Sequence, residues 1–347
     1  MTIQRLAGLA ICLAVIVAAG AGATAEGLYG SHEVLQLTLK APLHEIFQQK
    51  DNDFERGGFL ELPSGRVVPL TLSTFGKSRL EACPFPPLKI SVLPEDASGT
   101  LFEGQETLRL VTHCGAGAGS DRYALLEYLV YRIYGVLAEP AVSVRLAKIH
   151  YRDTASGGRT QKAHAFLVED IGLLARRHDL VWLDLRRQEI SDLDPPELAL
   201  IALFEYMVGN TDWSALRSAE GERCCHNVAV LGDDKGGPRY LLPFDFDQAG
   251  LVNAPYATPN KKLGIRRVTQ RRYRGDCASN DHLPEAIAFL NLRQPDLHAL
   301  FHDPSLPHPK ARAAAWRYVE QFYEIINDPK KLDRQIKQYC RRPTADR

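Results

Sequence analysis

The chain alternates between apolar and polar positions in two styles, and the change of style divides it. Up to about residue 170 the apolar runs are short, β-branched or alternating, and broken by Gly, Pro and Asp, which predicts strands near 34–39, 67–74, 88–92 and 108–112. One helix interrupts them. Ser120-Asp121 forms its N-cap signal, Leu125, Leu126, Leu129, Val130 and Ile133 recur at helical spacing, and Gly135 lies near its stop. Two more strands, 142–151 and 163–168, follow and are joined by Ala155-Ser156-Gly157-Gly158. A β-sandwich carrying one helix is the plainest architecture for this half.

The second half is helical. Pro195-Pro196 opens a helix running to about Val208, and Trp316, Val319, Phe322, Tyr323 and Ile326 line one side of another over 311–326. Between them, 227–231 and 240–244 read as a strand pair joined by residues 232–237. The pattern predicts an α+β chain in two lobes: a strand-rich region over 26–170, and a helical region over 171–347 that carries a hairpin.

The extreme N-terminus has its own pattern. Arg5 precedes an uncharged apolar run over 6–19 and small residues ending Ala23-Thr24-Ala25, the form of a secretory signal cleaved after Ala25. An uncleaved anchor is the alternative. No later run reaches 18 apolar residues, because Glu205 interrupts the richest helix. The expectation is an exported protein, periplasmic or secreted, with no stable membrane insertion after cleavage. Removing the signal takes away Arg5 alone and leaves 41 Lys and Arg against 42 Asp and Glu. That balance argues against bulk nucleic-acid binding, although Arg266, Arg267, Arg271, Arg272 and Arg274 form a local basic stretch suited to a solvated face or a phosphate-facing loop.

Six cysteines remain after the signal: Cys83, Cys114, Cys224, Cys225, Cys277 and Cys340. An even count in an exported chain favours disulfides, and the sequence leaves all the pairings open. Zinc at Cys224-Cys225-His226 is a competing use, with a ligand spacing unlike that of ordinary zinc sites.

Candidate chemistry lies in Asn210-Thr211-Asp212-Trp213-Ser214, His226-Asn227 and Pro243-Phe244-Asp245-Phe246-Asp247. On an extended chain Asp245 and Asp247 leave one face while the phenylalanines anchor the other. Asn227 opens the strand that pairs with this one, so it is expected beside Asp245, and such oxygen ligands suit Mg²⁺ or Mn²⁺. Asp212, on a loop after a buried helix, could accept a hydroxyl proton. Taken singly, each is as well read as a cap or turn residue. Together they follow the order that phosphoryl transfer uses, with Glu127 on the preceding helix available to hold a cationic side chain. A metal-dependent hydrolase built on Asp212, Asp245 and Asp247 with His226 as acid–base group is a third reading.

These segments, with Cys-Pro-Phe-Pro-Pro-Leu at 83–88 and Leu-Arg-Leu-Val-Thr-His-Cys at 108–114, give the stretch 80–277 a resemblance to the CotH-type atypical kinases of spore coats. The resemblance implies a bilobal protein-kinase-like fold, with a strand-rich N-lobe holding one helix and a mainly helical C-lobe. It also implies ATP with Mg²⁺ or Mn²⁺, Asp212 as the catalytic aspartate, Asn227 and Asp245 as metal ligands, and Glu127 as partner of the phosphate-binding cation. Arg109 stands where that cation is expected to be Lys, with Lys89 on a neighbouring strand as a substitute. An exported kinase acting on a hydroxyl of a protein or small molecule is therefore one expectation. An inactive, partner-binding envelope relative is the other.

Overall fold

The computed structural model describes residues 27–115, 117–155, 157–219, 222–233 and 235–342, so the expected signal segment at 1–25 lies outside the described residues. The chain begins with β1 (Leu35–Ala41), α1 (Leu43–Gln49), β2 (Arg56–Glu61), β3 (Val67–Thr74), α2 (Ser78–Ala82), β4 (Leu88–Ser91), α3 (Pro94–Ala97) and β5 (Thr107–Val111). It continues through α4 (Arg122–Leu137), β6 (Val144–Asp153), β7 (Thr160–Val168), α5 (Ile171–Arg177), β8 (Val181–Trp182) and α6 (Pro195–Val208). The last elements are β9 (Val228–Gly232), β10 (Arg239–Pro243), α7 (Leu283–His302), α8 (Pro309–Ile326) and α9 (Pro329–Gln335).

The first seven strands form a closed barrel in the order β1-β2-β3-β4-β5-β7-β6. Closure comes from a parallel pairing of β1 with β6, Leu35 opposite Ala147 through Ala41 opposite Asp153, in an otherwise antiparallel sheet. Alternate residues fill its interior: Leu37 and Leu39 on β1, Leu108 and Leu110 on β5, and Ile149 and Tyr151 on β6 are buried together.

This overturns the expected kinase-like bilobal fold with a one-helix strand lobe. The strand-rich region is a mixed seven-stranded barrel, and it carries α1, α2 and α3 as well as α4. The physical reason is the β1–β6 pairing, which removes both sheet edges and joins segments far apart in sequence, where local periodicity carries no signal. Within β2, Gly58 is crowded by its neighbour strand: a Cβ would stand 2.8 Å from the Lys40 carbonyl oxygen.

On the other side of the barrel wall, α4 is covered almost all round, with eleven of its sixteen residues buried. Val144, Leu146, Phe166 and Val168, from the outer faces of β6 and β7, share its core with residues of α6, α7 and α8. The short sheet β10-β9-β8 completes this region, and every residue of β9 is buried.

The six cysteines pair as Cys83–Cys114, Cys224–Cys225 and Cys277–Cys340. The sulfurs considered for zinc at 224 and 225 are therefore bonded to each other. No helix among the described residues is long and apolar enough to cross a membrane.

Helix α6 follows its signals closely. The Asp194 side chain accepts the Glu197 N–H, Pro195 and Pro196 open the first turn, and Gly209 ends it in the left-handed region at φ +69°. A side chain at 209 would collide with the Tyr318 hydroxyl at 2.1 Å. Inside this helix Glu205 is fully buried, and loss of hydration lifts its pKa from 4.5 to about 8. The protonated form is favoured in the folded state, so this stabilisation is complete below pH 4.5 and disappears as pH rises through about 8. Glu205→Gln is expected to equal wild type near pH 5 and to exceed it by on the order of 2 kcal/mol at pH 8.5 in urea denaturation.

Candidate active site

Helix α2 is only one turn and a half long, but it delivers a buried guanidinium. Its C-terminal end is fixed by Cys83, whose N–H donates to the Arg79 carbonyl and whose sulfur bonds to Cys114 beyond β5. Arg79 Nη2 donates to Glu127 Oε1 at 2.7 Å and to Asp245 Oδ1 at 3.0 Å, while its Nε donates to Asp247 Oδ2 at 2.9 Å. The side chains of Arg79, Glu127 and Asp247 are 9, 3 and 5% exposed, whereas Asp245 is 49% exposed.

Asp245 is thus surrounded by protein yet open to water on one side. Strand β10 ends at Pro243, so Asp245 and Asp247 converge through a turn rather than by the expected strand alternation. Asp245 has φ +59°, and its N–H donates to the Tyr131 hydroxyl at 2.9 Å. Buried Phe246 packs edge-on against Tyr131, ring centroids 4.8 Å apart, and anchors the turn.

A single positive charge therefore faces three carboxyl groups. Burial alone would favour the neutral form of Arg79, but Glu127, Asp247 and Asp245 more than reverse this and keep it charged. Burial raises the pKa of Glu127 despite the Arg79 contact. Loss of hydration, then the Asp247 charge, push Asp245 up to about 6. The cluster is short of positive charge.

Beside it stands a second polar group. Asn210 Oδ1 accepts the Asp212 N–H at 2.9 Å, and Asp212 Oδ1 lies 2.9 Å from His226 Nε2. Asn227 Nδ2 donates to the Asp212 carbonyl oxygen at 2.7 Å and to Oδ2 at 3.2 Å. Burial would raise the Asp212 pKa, but the His226 hydrogen bond prevails and lowers it, while the same contact raises His226. Arg274 holds the loop from below, with Nη1 donating to the carbonyls of Thr211 and Trp213, both at 2.5 Å. Arg271 donates to the Tyr206 and Met207 carbonyls at the end of α6. These two arginines of the basic stretch turn inward and tie down backbone.

The two groups meet along the β9–β10 hairpin. Val228 pairs with Pro243, and the Phe244 N–H donates to the Asn227 carbonyl at 3.0 Å, which puts Asn227 next to the Asp245 turn. The charge of Asp212 reaches Asp245 and raises its pKa. No trio of carboxylate and imidazole atoms within 4.8 Å of one another occurs here among the described residues.

A cavity of about 190 Å³ opens onto Asp245, with Arg79, Arg109, Glu127, Tyr131 and Phe244 in its walls. Of the residues predicted from sequence, Glu127, Arg109 and Asp245 line this cavity; Asp212 and Asn227 are not among its wall residues, and Asn227 reaches the wall through the bond its carbonyl accepts from Phe244. Lys89, directly across the ladder from Arg109, is not one of its wall residues. The partner of Glu127 is Arg79, not Arg109 or Lys89. Sequence reasoning missed Arg79; the available signal was residues 75–82, where Gly76 breaks the strand alternation and two cations, Lys77 and Arg79, follow.

No protein-family model matches the chain, and no curated protein matches it.

Arg79→Met leaves Glu127 and Asp247 buried without their counter-charge and is expected to destabilise the fold by about 3–5 kcal/mol. Urea denaturation at pH 7 measures the loss, and Arg79→Lys is expected to restore only part of it, because ammonium cannot serve three carboxyls in the fork geometry of guanidinium.

Proposed function

We propose that this cleft binds a divalent cation together with a phosphate-bearing ligand, nucleotide included, and transfers a phosphoryl group to a hydroxyl. The observation carrying the proposal is the charge imbalance: one guanidinium against Glu127, Asp245 and Asp247, with only Asp245 substantially open to solvent. A buried cluster with surplus negative charge either holds protons or recruits a cation. The donors proposed for it are Asp245 and the Asn227 amide oxygen, with phosphate and water to complete an all-oxygen set that fits Mg²⁺ or Mn²⁺. When bound, such a cation neutralises phosphate charge at the site of transfer.

The protein's own groups divide the remaining tasks. Arg79 fixes Asp245. Arg109 in the cavity wall supplies positive charge for a phosphate oxygen. Asp212, 44% exposed and oriented by His226, accepts the proton of an acceptor hydroxyl as the hydroxyl oxygen bonds to phosphorus and the bond from phosphorus to the donor's oxygen breaks, releasing the dephosphorylated donor, ADP where ATP is the donor. These are the roles that the CotH-type resemblance implied for Asp212, Asn227 and Asp245, but the barrel departs from the fold it implied, so the reading rests on the chemistry of the site alone. Export accompanies it: three disulfides match an oxidising compartment, and the 1–25 segment is the proposed address to the periplasm or the medium.

A second reading, a partner- or phosphate-binding protein without turnover, draws on one dimension. The 190 Å³ cavity is smaller than the roughly 300–1,000 Å³ usual for small-molecule sites, so it encloses a phosphate and its cation and leaves the rest of a nucleotide outside. On either reading Mn²⁺ with ATP or a sugar phosphate is expected to raise the melting temperature of wild type, and Asp245→Asn to abolish that rise. A rise that persists unchanged in Asp245→Asn removes the cation site from this cleft. Asp212→Asn separates the readings: transfer predicts retained binding with turnover lowered about 10²–10⁴-fold, whereas pure binding predicts no turnover in wild type.

A further inference from the structure

Asp121 occupies the N-cap of α4, but its carboxylate makes no capping hydrogen bond. It faces two imidazoles instead. Oδ2 lies 2.7 Å from His164 Nδ1 and also accepts the His164 backbone N–H at 3.0 Å, while Oδ1 lies 2.8 Å from His308 Nε2. The three ligand atoms fall within 4.8 Å of one another. The side chains are 13–25% exposed, and the imidazole rings stand edge to face at 6.0 Å.

The contributing segments are remote from one another: the start of α4, the middle of β7, and the residue that precedes α8. His308 is held at φ +54° at the head of α8, an uncommon backbone state for a non-glycine residue. Its buried Nε2 makes no directed hydrogen bond, although the carboxylate oxygen is close. A ring nitrogen aimed at a carboxylate without hydrogen-bond geometry is arranged as a ligand would be.

We propose that Asp121, His164 and His308 form a binding site for one borderline divalent cation of the Zn²⁺ or Co²⁺ class, fastening the head of α8 to the barrel. Two imidazoles and a carboxylate select such ions over Mg²⁺ or Ca²⁺, which take oxygen donors. Three protein ligands leave a fourth position for water. The site shares no residue with the cleft around Asp245, and it stands whether or not that cleft transfers phosphate.

The test uses full-length chain stripped with chelator and titrated with Co²⁺ and Zn²⁺. One imidazole-ligated Co²⁺ per chain is expected, distinct from any Co²⁺ taken up by the all-oxygen cleft, with visible d–d absorption and two exchangeable imidazole N–H signals among the paramagnetically shifted protons. His164→Gln and His308→Gln are each expected to weaken binding at least tenfold, and Asp245→Asn to leave it unchanged. The proposal is overturned if wild type takes up neither ion at millimolar concentration, if the bound Co²⁺ shows no imidazole signals, or if both Gln variants bind as wild type does. Should either variant fail to fold, the wild-type spectrum still decides.

Discussion

The guanidinium of Arg79 is the constraint on which the arrangement of the cleft rests. It lies almost out of water and touches carboxyl groups from α4 and from the turn after β10. Removing such charges from water costs several kcal/mol each, and only a full set of short, oriented contacts offsets it. The contacts therefore demand accuracy from three separate parts of the molecule. Helix α2 must sit where its disulfide with Cys114 keeps it, α4 must present Glu127 through an otherwise apolar face, and the 245–247 turn must be pinned by Phe246 and Tyr131. Each local structure is explained by the one point at which they meet.

The Asp212 side of the cleft is built by a different device. Its loop leaves α6 through Gly209, where no side chain fits beside Tyr318, and is then gripped by Arg274 through backbone carbonyls on both flanks of Asp212. Two arginines of the basic stretch thus serve this loop, Arg271 satisfying carbonyls that the end of α6 leaves open and Arg274 those of Thr211 and Trp213 beyond it. The reactive groups are the open part of the cleft: Asp212, His226 and Asp245 keep between 42 and 49% of their side-chain surface exposed, while Arg79, Glu127, Asp247 and Tyr131, which hold the Asp245 turn, are buried.

Much of the local structure was legible from periodicity, because it is decided by nearest neighbours. Residues 67–74 form a strand as read, α6 follows its proline start and glycine stop, and the hairpin places Asn227 beside the Asp245 turn as its strand pairing implied. What was not legible depends on long-range geometry. The parallel β1–β6 pairing that closes the barrel joins residues more than a hundred positions apart, and the two-lobed expectation failed on it. Arg79 escaped notice for the same reason: its partners lie 48 to 168 residues away, whereas Arg109 was chosen from sequence order and does share the cavity wall. Asp121 was read correctly as the position of the α4 cap, yet its carboxylate answers to His164 and His308.

The central claim is that the charge-deficient cleft at Asp245 takes up a divalent cation in contact with phosphate. Pulsed electron paramagnetic resonance of Mn²⁺ bound to the full-length chain, with Zn²⁺ first added to fill the histidine site and ATP then supplied, addresses it most directly. The account predicts one bound Mn²⁺ with ³¹P hyperfine coupling and no imidazole ¹⁴N coupling. Absence of bound Mn²⁺, or bound Mn²⁺ showing imidazole nitrogen and no phosphorus, contradicts it.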